Sequence, residues 1–385
     1  MPLVPLRPVL DAARKGGYAQ GAFNVNAVCQ AKAAIEVHQM LRSAAILQGA
    51  DLANAFMGGR ADFANGTVED KIAGARNIGE AVKKYAEKAS IPVVLHLDHG
   101  RDMKSVEAAI AGGYTSVMID GSSLPYGENV ELTREVVKYA HARGVSVEGE
   151  LGVLAGVEDH VFAASSTYTN PLTAVDFVRK TKVDALAISY GTMHGPSKGA
   201  GVKLRREIPV AIRECLSHEG LECALVSHGS STVPSYIVEE INELGGDIRN
   251  AHGISLSELK AAIPCGINKI NVDTDIRLAV TRNMRELFER RPELREDTSV
   301  SGVWDLLREH PENPDPRAFL PPVFDTVMHG TVPDADVQAL VDAIEAGVKE
   351  AIATLVVEFG SYGKAPKVEV VTLDEMAERY AKAGI

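Results

Sequence analysis

Four cysteines in 385 residues, Cys29, Cys215, Cys223 and Cys265, form no Cys-x-x-Cys pair and no disulfide-like spacing. That excludes a disulfide framework and predicts reduced, mostly buried thiols in a cytosolic protein. Positive charge is also short. A net charge of −12 argues against nucleic acid and anionic membrane surfaces as partners. Local basic residues remain able to hold a phosphorylated small molecule. The opening Met1-Pro-Leu-Val-Pro-Leu-Arg-Pro8 lacks a positively charged leader followed by a long apolar stretch, and no membrane span is visible. The expectation is a soluble cytoplasmic protein. No internal repeat or low-complexity tract occurs either.

What the chain does have is enough apolar content, 45% of residues, to bury a large core as one big α/β domain or two smaller ones. Strand-like runs at 19–25, 43–48, 92–97, 116–119, 145–150, 185–189, 224–227 and 269–272 alternate with helix-like segments. Among the latter are 68–88, 103–111, 130–142, 172–180, 204–218, 234–244 and 256–263. The strands are β-branched and apolar on both faces, as in a parallel sheet covered by helices. Eight βα units in series predict a (β/α)₈ TIM barrel rather than an open sheet. The dinucleotide-binding alternative lacks its Gly-x-Gly-x-x-Gly turn after the first strand.

The barrel is expected to occupy 1–290, closing near Val272 with 275–290 as its eighth helix. Residues 291–335 read as an irregular insertion, since 291–322 is rich in charge and proline. A C-terminal helical extension, 336–385, would follow within the same structural domain. There Val337, Leu340, Val341, Ile344, Val348 and Leu355 share one helical stripe, predicted to pack on the barrel or on a partner subunit. A strand-like run at 367–373 precedes a terminal helix at 374–383.

Chemistry concentrates where strands end. His99, His194 and His228 each fall just past a buried strand-like run, and each is followed directly by glycine. Ligands bind at the carboxyl ends of parallel strands, so three imidazoles delivered there suit a catalytic Zn²⁺ with an open position. Asp98 stands beside His99. Regular alternation would turn the two apart, but a turn at the strand end can aim both into the mouth. A carboxylate there could move a proton to or from a substrate oxygen; orienting an imidazole or capping the next helix is the plainer role. Glu148 and Glu150 share a strand face, which suits support of a metal or, equally, a salt bridge inside the barrel. Glu158 lies in a long loop that could fold over the mouth, where a mobile acid could abstract a proton.

The loops Gly191-Thr-Met-His194-Gly195-Pro-Ser-Lys198, His228-Gly229-Ser-Ser231 and Asn271-Val-Asp273-Thr274-Asp275 follow the late strands. Their glycine, serine, threonine and lysine content fits a phosphate pocket. Arg277, on the next helical turn, could bind a second phosphate or simply lie on the surface. Metal, phosphate and a nearby carboxylate together suggest a phosphorylated ketose, whose polarised carbonyl would give an enediolate as a carbon–carbon bond breaks.

These motifs, with Gly21-Ala-Phe-Asn24-Val-Asn26 and His96-Leu-Asp98-His99-Gly100, resemble the class II, zinc-dependent fructose-1,6-bisphosphate aldolases. The resemblance runs from Met1 to about Arg290, and more loosely through Asp315-Pro-Arg-Ala-Phe-Leu320 to the C-terminus. It implies a lyase of glycolysis and gluconeogenesis that cleaves a ketose bisphosphate, working as a homodimer or homotetramer. It implies His99, His194 and His228 as Zn²⁺ ligands (or ligands of another divalent ion), with Glu150 nearby. Asp98 would handle the C4 oxygen's proton and Glu158 the C1 proton. Gly195, Lys198, Gly229, Ser231 and Thr274 match the dihydroxyacetone phosphate pocket, with a monovalent cation (Na⁺ or K⁺) close by. Asn24 and Asn271 match polar contacts, Asp273 a substrate hydroxyl contact, and Arg277 a ligand of the distal phosphate. The chain departs from the family pattern at Ala27, in the turn 49–54 and at Pro196-Ser197. Rival readings are the same mechanism on tagatose 1,6-bisphosphate or another phosphorylated ketose, a Schiff-base aldolase with a strand-borne lysine such as Lys269 as nucleophile, and a barrel that only binds.

Overall fold

A computed structural model describes residues 3–154, 156–158, 161–163, 167–193 and 201–384, with side chains outside 156–158 and 161–163. Helix α1 (Leu6–Gly16) leads into β1 (Gln20–Asn24), α2 (Val28–Met40) and β2 (Ala45–Gly49). Two helices, α3 (Asp51–Met57) and α4 (Val68–Ala86), precede β3 (Val93–Gly100). Then come α5 (Met103–Ala111), β4 (Ser116–Ile119), α6 (Tyr126–His141) and β5 (Ser146–Leu151). A small antiparallel pair, β6 (Gly156–Glu158) and β7 (Val161–Ala163), interrupts the alternation. It resumes with α7 (Pro171–Thr181), β8 (Ala185–Ile188), α8 (Glu207–His218) and β9 (Ala224–Ser227). The last unit is α9 (Ser235–Glu243), α10 (Leu256–Ala262), β10 (Ile267–Val272) and α11 (Thr274–Arg290).

Eight of these strands close on themselves in the order β1-β10-β9-β8-β5-β4-β3-β2, all parallel, which is the expected (β/α)₈ barrel. The interior is graded along the barrel axis. At the bottom, Ala22, Ile46, Val94, Met118, Ala185, Ala187, Ala224 and Val226 form one apolar cluster with Val4, Leu6, Val9 and Leu10. Helix α1 therefore plugs the lower mouth, with Pro5 at its N-cap and Pro8 in its first turn, where proline removes no helical hydrogen bond. At the top, β1, β2, β3, β5 and β10 carry Asn24, Gln48, Asp98, Glu148, Glu150 and Asn271, all buried. That buried polar layer positions the site.

Beyond the barrel, the stretch 291–322 is not wholly irregular: it holds α12 (Ser301–Glu309) between short 3₁₀ turns. After α13 (Phe324–His329) comes α14 (Ala335–Glu358), whose predicted stripe is buried against α11 and α2 of the barrel. The strand expected at 367–373 is absent. Val368 instead joins the apolar cluster under the barrel and Val371 packs with Met376 and Tyr380 of α15 (Leu373–Lys382). A closed barrel offers no free edge to pair with, so β-branched residues here fill space rather than extend a sheet. All four cysteines are free thiols; Cys29 and Cys223 are buried, and burial pushes the Cys29 thiol up to about 12. No helix among the described residues is long and apolar enough to cross a membrane.

Helix α15 is tied to the barrel floor through Asp184. Its carboxylate takes His141 Nε2 at 2.9 Å, Arg7 Nη1 at 3.2 Å and the Val147 amide at 2.8 Å. Tyr380 stacks on the His141 ring at 3.6 Å between centroids and donates to Ser146 Oγ. Burial would raise the Asp184 pKa, but His141 and Arg7 outweigh it and hold it below the usual carboxylate range. Asp184→Asn is expected to cost about 3 kcal/mol, because His141 and Arg7 lose a buried charged partner. Urea denaturation at pH 7 reads this as a lowered midpoint, and an unchanged midpoint would contradict it. The lowered pKa means the contribution is fully present above the unfolded carboxylate value of about 4 and fades as pH falls further. The variant should lack that part of the acid-induced loss.

Candidate metal centre

The centre begins with an irregularity in β3. Pairing between β3 and β4 slips between Leu97 and Gly100, and His99 adopts a left-handed φ of 49°. This bulge is why Asp98 and His99 do not diverge as alternation would demand. Both are buried, and with His228, which follows β9, they bring donor atoms within 4.8 Å of one another. A Cβ at Gly100 would stand 2.5 Å from the Met118 carbonyl oxygen, so only glycine lets the bulged strand lie this close to β4.

Hydrogen bonds fix which ring nitrogens face inward. His99 Nδ1 lies 3.1 Å from Asp120 Oδ2, and His228 Nε2 lies 2.7 Å from Glu148 Oε1. Each nitrogen donates to its carboxylate, so in the neutral form of either ring the remaining nitrogen carries a lone pair. Those remaining atoms, His99 Nε2 and His228 Nδ1, face each other at 3.0 Å. Two lone pairs at that distance are favourable only with a proton or a cation between them.

The surrounding charges favour a cation. Burial opposes charge on His99, but Asp98, Asp120 and Glu150 outweigh it and push its pKa up to about 10. Burial lowers His228 despite its hydrogen bond to Glu148. Glu150 is pushed well above the usual carboxylate range by burial and by Asp120, and among the described residues its Oε2, 3.9 Å from His99 Nδ1, has no hydrogen-bond partner. Asp120 goes the other way: despite burial, His99 and Ser122 hold it low. Two inward nitrogens, the Asp98 carboxylate and an orphaned buried acid make a donor set that fits a divalent ion.

Asp98 is itself held. Asn271 Nδ2 donates to one oxygen and Gln48 Nε2 to the other, both at 3.0 Å, and Gln48 also reaches Asn24 Oδ1 at 2.7 Å. Four predicted residues, Asn24, Asp98, His228 and Asn271, thus join one network, because Asn271 Nδ2 also lies 3.3 Å from His228 Nδ1.

The loops after β9 and β10 lock together beside it. Gly229 turns the chain after His228 at φ 59°, and Ser231 Oγ accepts the amides of Asp273 and Thr274 at the start of α11. Val233 sits at φ 49°, a strained conformation for a β-branched residue. Asp275 pins it, accepting the Val233 and Thr232 amides and the Thr232 hydroxyl at 2.7–3.0 Å. Arg277 reaches inward to Asp273 and Asp315 rather than lying on the surface. Asp315 also pairs with Arg317, so the stretch after the barrel returns to the rim of the site.

His194, Gly195 and Lys198 lie outside the described residues, and of Glu158 only the backbone in β6 is described. Sequence reading missed Asp120, Gln48 and Asp315. Asp120 had a usable signal: it ends the 116–119 run before Gly121-Ser-Ser, as His99 ends its own. Lys269 proves unsuited to Schiff-base chemistry. Its ammonium is wholly buried and ion-paired with Glu148 at 2.9 Å, leaving no exposed amine to attack a carbonyl.

The family model described as "Fructose-bisphosphate aldolase class-II" matches residues 4–364. A fructose-bisphosphate aldolase of Giardia intestinalis is 38% identical over 381 residues, covering 99% of this chain and 100% of its own. One from Treponema pallidum is 41% identical over 299 residues, 74% of this chain and 86% of its own. Among solved structures, the YdjI aldolase of Escherichia coli K12 superposes with a TM-score of 0.64 at 25% identity, covering 94% of this chain and 99% of its own. With its barrel, its inward histidines and these relatives, the chain belongs to the class II fructose-bisphosphate aldolase family.

Proposed function

We propose that this protein is a divalent-metal-dependent aldolase that reversibly splits D-fructose 1,6-bisphosphate into dihydroxyacetone phosphate and D-glyceraldehyde 3-phosphate. The observation that carries the reading is the pair of imidazole nitrogens 3.0 Å apart beside Asp98, each turned inward by a carboxylate behind it. Family membership and the names of the relatives support the reaction and the sugar.

In this reading His99 and His228 hold the ion, His194 is the third ligand and Glu150 stands by. Zinc is our choice of ion, since three imidazoles with an open position suit it. When bound, it supplies positive charge that draws electrons from the ketose carbonyl. Asp98 takes the proton of the C4 hydroxyl as the C3–C4 bond breaks, and gives it back in condensation. The amides of Asn271 and Gln48 keep its two oxygens pointed at that task. Glu158 returns a proton to the carbon that cleavage leaves electron-rich. Gly195, Lys198, Gly229, Ser231 and Thr274 hold the near phosphate, with Na⁺ or K⁺ beside it, and Asn24 and Asn271 add polar contacts. Asp273 takes a sugar hydroxyl, and Arg277 the distal phosphate. We further propose a cytoplasmic homodimer or homotetramer.

A coupled assay of fructose 1,6-bisphosphate cleavage tests the reading. Turnover should fall to background after chelation, return with Zn²⁺, and survive borohydride added with substrate. Negligible turnover of the zinc-loaded protein, or indifference to chelators, would remove the proposal.

A further inference from the structure

Behind the metal centre a line of buried side chains crosses the barrel from β4 to the end of β9. His96 Nδ1 lies 2.8 Å from Ser116 Oγ, and Lys269 Nζ lies 3.4 Å from His96 Nε2. The same ammonium is 2.9 Å from Glu148 Oε2, while Glu148 Oε1 is 2.7 Å from His228 Nε2. His96, Glu148 and Lys269 are each 0% exposed. An ammonium has no acceptor, so Lys269 donates both ways, and every bond in the line acquires a direction. His96 must then accept at Nε2 and donate from Nδ1 to Ser116. Glu148, occupied at Oε2 by Lys269, is left to accept from His228 at Oε1.

An ion pair sealed inside a barrel is a poor stabiliser, because desolvation offsets most of its attraction and apolar side chains of similar size serve as well. Its geometry suits a different task. Lys269 projects from β10 and Glu148 from β5, and between them they orient a ring that follows β9. The alternative His228 tautomer would aim an N–H at the neighbouring His99 nitrogen and a lone pair at the carboxylate.

We propose that Lys269 and Glu148 are a positioning pair for the metal site. Lys269 anchors the carboxylate of Glu148, and Glu148 accepts the Nε2 proton of His228 so that its Nδ1 lone pair faces the ion. This rests on the metal reading above. Lys269, the example of a strand-borne lysine for the Schiff-base alternative, thereby acts through Glu148, two hydrogen bonds away from the ligating ring.

Competition with a chromophoric chelator, using the full chain and Zn²⁺ alone, measures the effect without any turnover. Glu148→Gln and Lys269→Met should each weaken Zn²⁺ binding by about 10- to 100-fold, the usual scale for outer partners of ligating histidines. The double variant should lie within about twofold of Glu148→Gln, since Lys269 has no route to the ion once the carboxylate is gone. Excess Zn²⁺ should restore kcat in each single variant with KM unchanged. Where Lys269→Met melts too low to assay, Lys269→Gln, which keeps a donor but no charge, takes its place. Dissociation constants within twofold of wild type in both single variants would overturn the pair, as would a double variant whose loss is the product of the two. Wild-type protein that takes up no Zn²⁺ would instead fail the metal reading itself.

Discussion

Asp98→Asn is expected to lower kcat for fructose 1,6-bisphosphate cleavage by about 10³-fold, within the range of a positioned acid–base group, with zinc content unchanged. The substitution keeps the side chain's size, so its place between Asn271 and Gln48 should survive. What it removes is the carboxylate that, among the described residues, clusters within 4.8 Å of donor atoms on both inward histidines. The amide would also turn an N–H toward either Asn271 or Gln48, both of which donate to this group at 3.0 Å. Some of the loss therefore reflects a rotated side chain rather than the missing base. Steady-state kinetics on zinc-loaded protein, paired with metal analysis, separate the two functions. A kcat within tenfold of wild type would remove Asp98 from the proton transfer, and loss of the metal would recast it as a ligand.

His228→Ala should have a comparable effect by the opposite route. It deletes one nitrogen donor from the site, and about 4 kcal/mol of binding, or roughly 10³ in Kd, should go with it. It also strands Glu148, whose Oε1 loses the ring it accepts from, while Lys269 still holds Oε2. Activity should vanish without added metal and recover only in part at high Zn²⁺, whereas Asp98→Asn should not respond to zinc at all. That contrast is the useful readout. Stoichiometric zinc in purified His228→Ala protein would show that the ion sits elsewhere.

Much of the fold was legible because parallel strands buried on both faces announce themselves as short apolar runs, and eight of them in series leave few topologies. The run at 224–227 and the helix at 103–111 match the observed elements residue for residue. The misread strand at 367–373 had the same β-branched composition, but strand propensity is realised only where a partner edge exists. His99 and His228 were singled out by position alone, and His194 lies outside the described residues. How Asp98 and His99 share one side of β3 was not legible in that way: it depends on a left-handed backbone at His99, which a His-Gly pair permits without demanding. Asp120 was passed over because Asp before Gly-Ser reads as a turn residue, a role it also fills by accepting the Ser122 amide. Asp315 lies 38 residues beyond Arg277 along the chain, and no local pattern links the two. Glu148 and Lys269 were each visible as buried charges, but their joint orientation of His228 exists only once the barrel closes.

The most direct measurement is anomalous diffraction at the zinc edge from crystals of the full chain grown with Zn²⁺. The account predicts one dominant peak about 2.0–2.1 Å from His99 Nε2 and His228 Nδ1, with His194 completing the set. An ion bound anywhere else, or no ion between those two rings in protein that still cleaves the sugar, would contradict it.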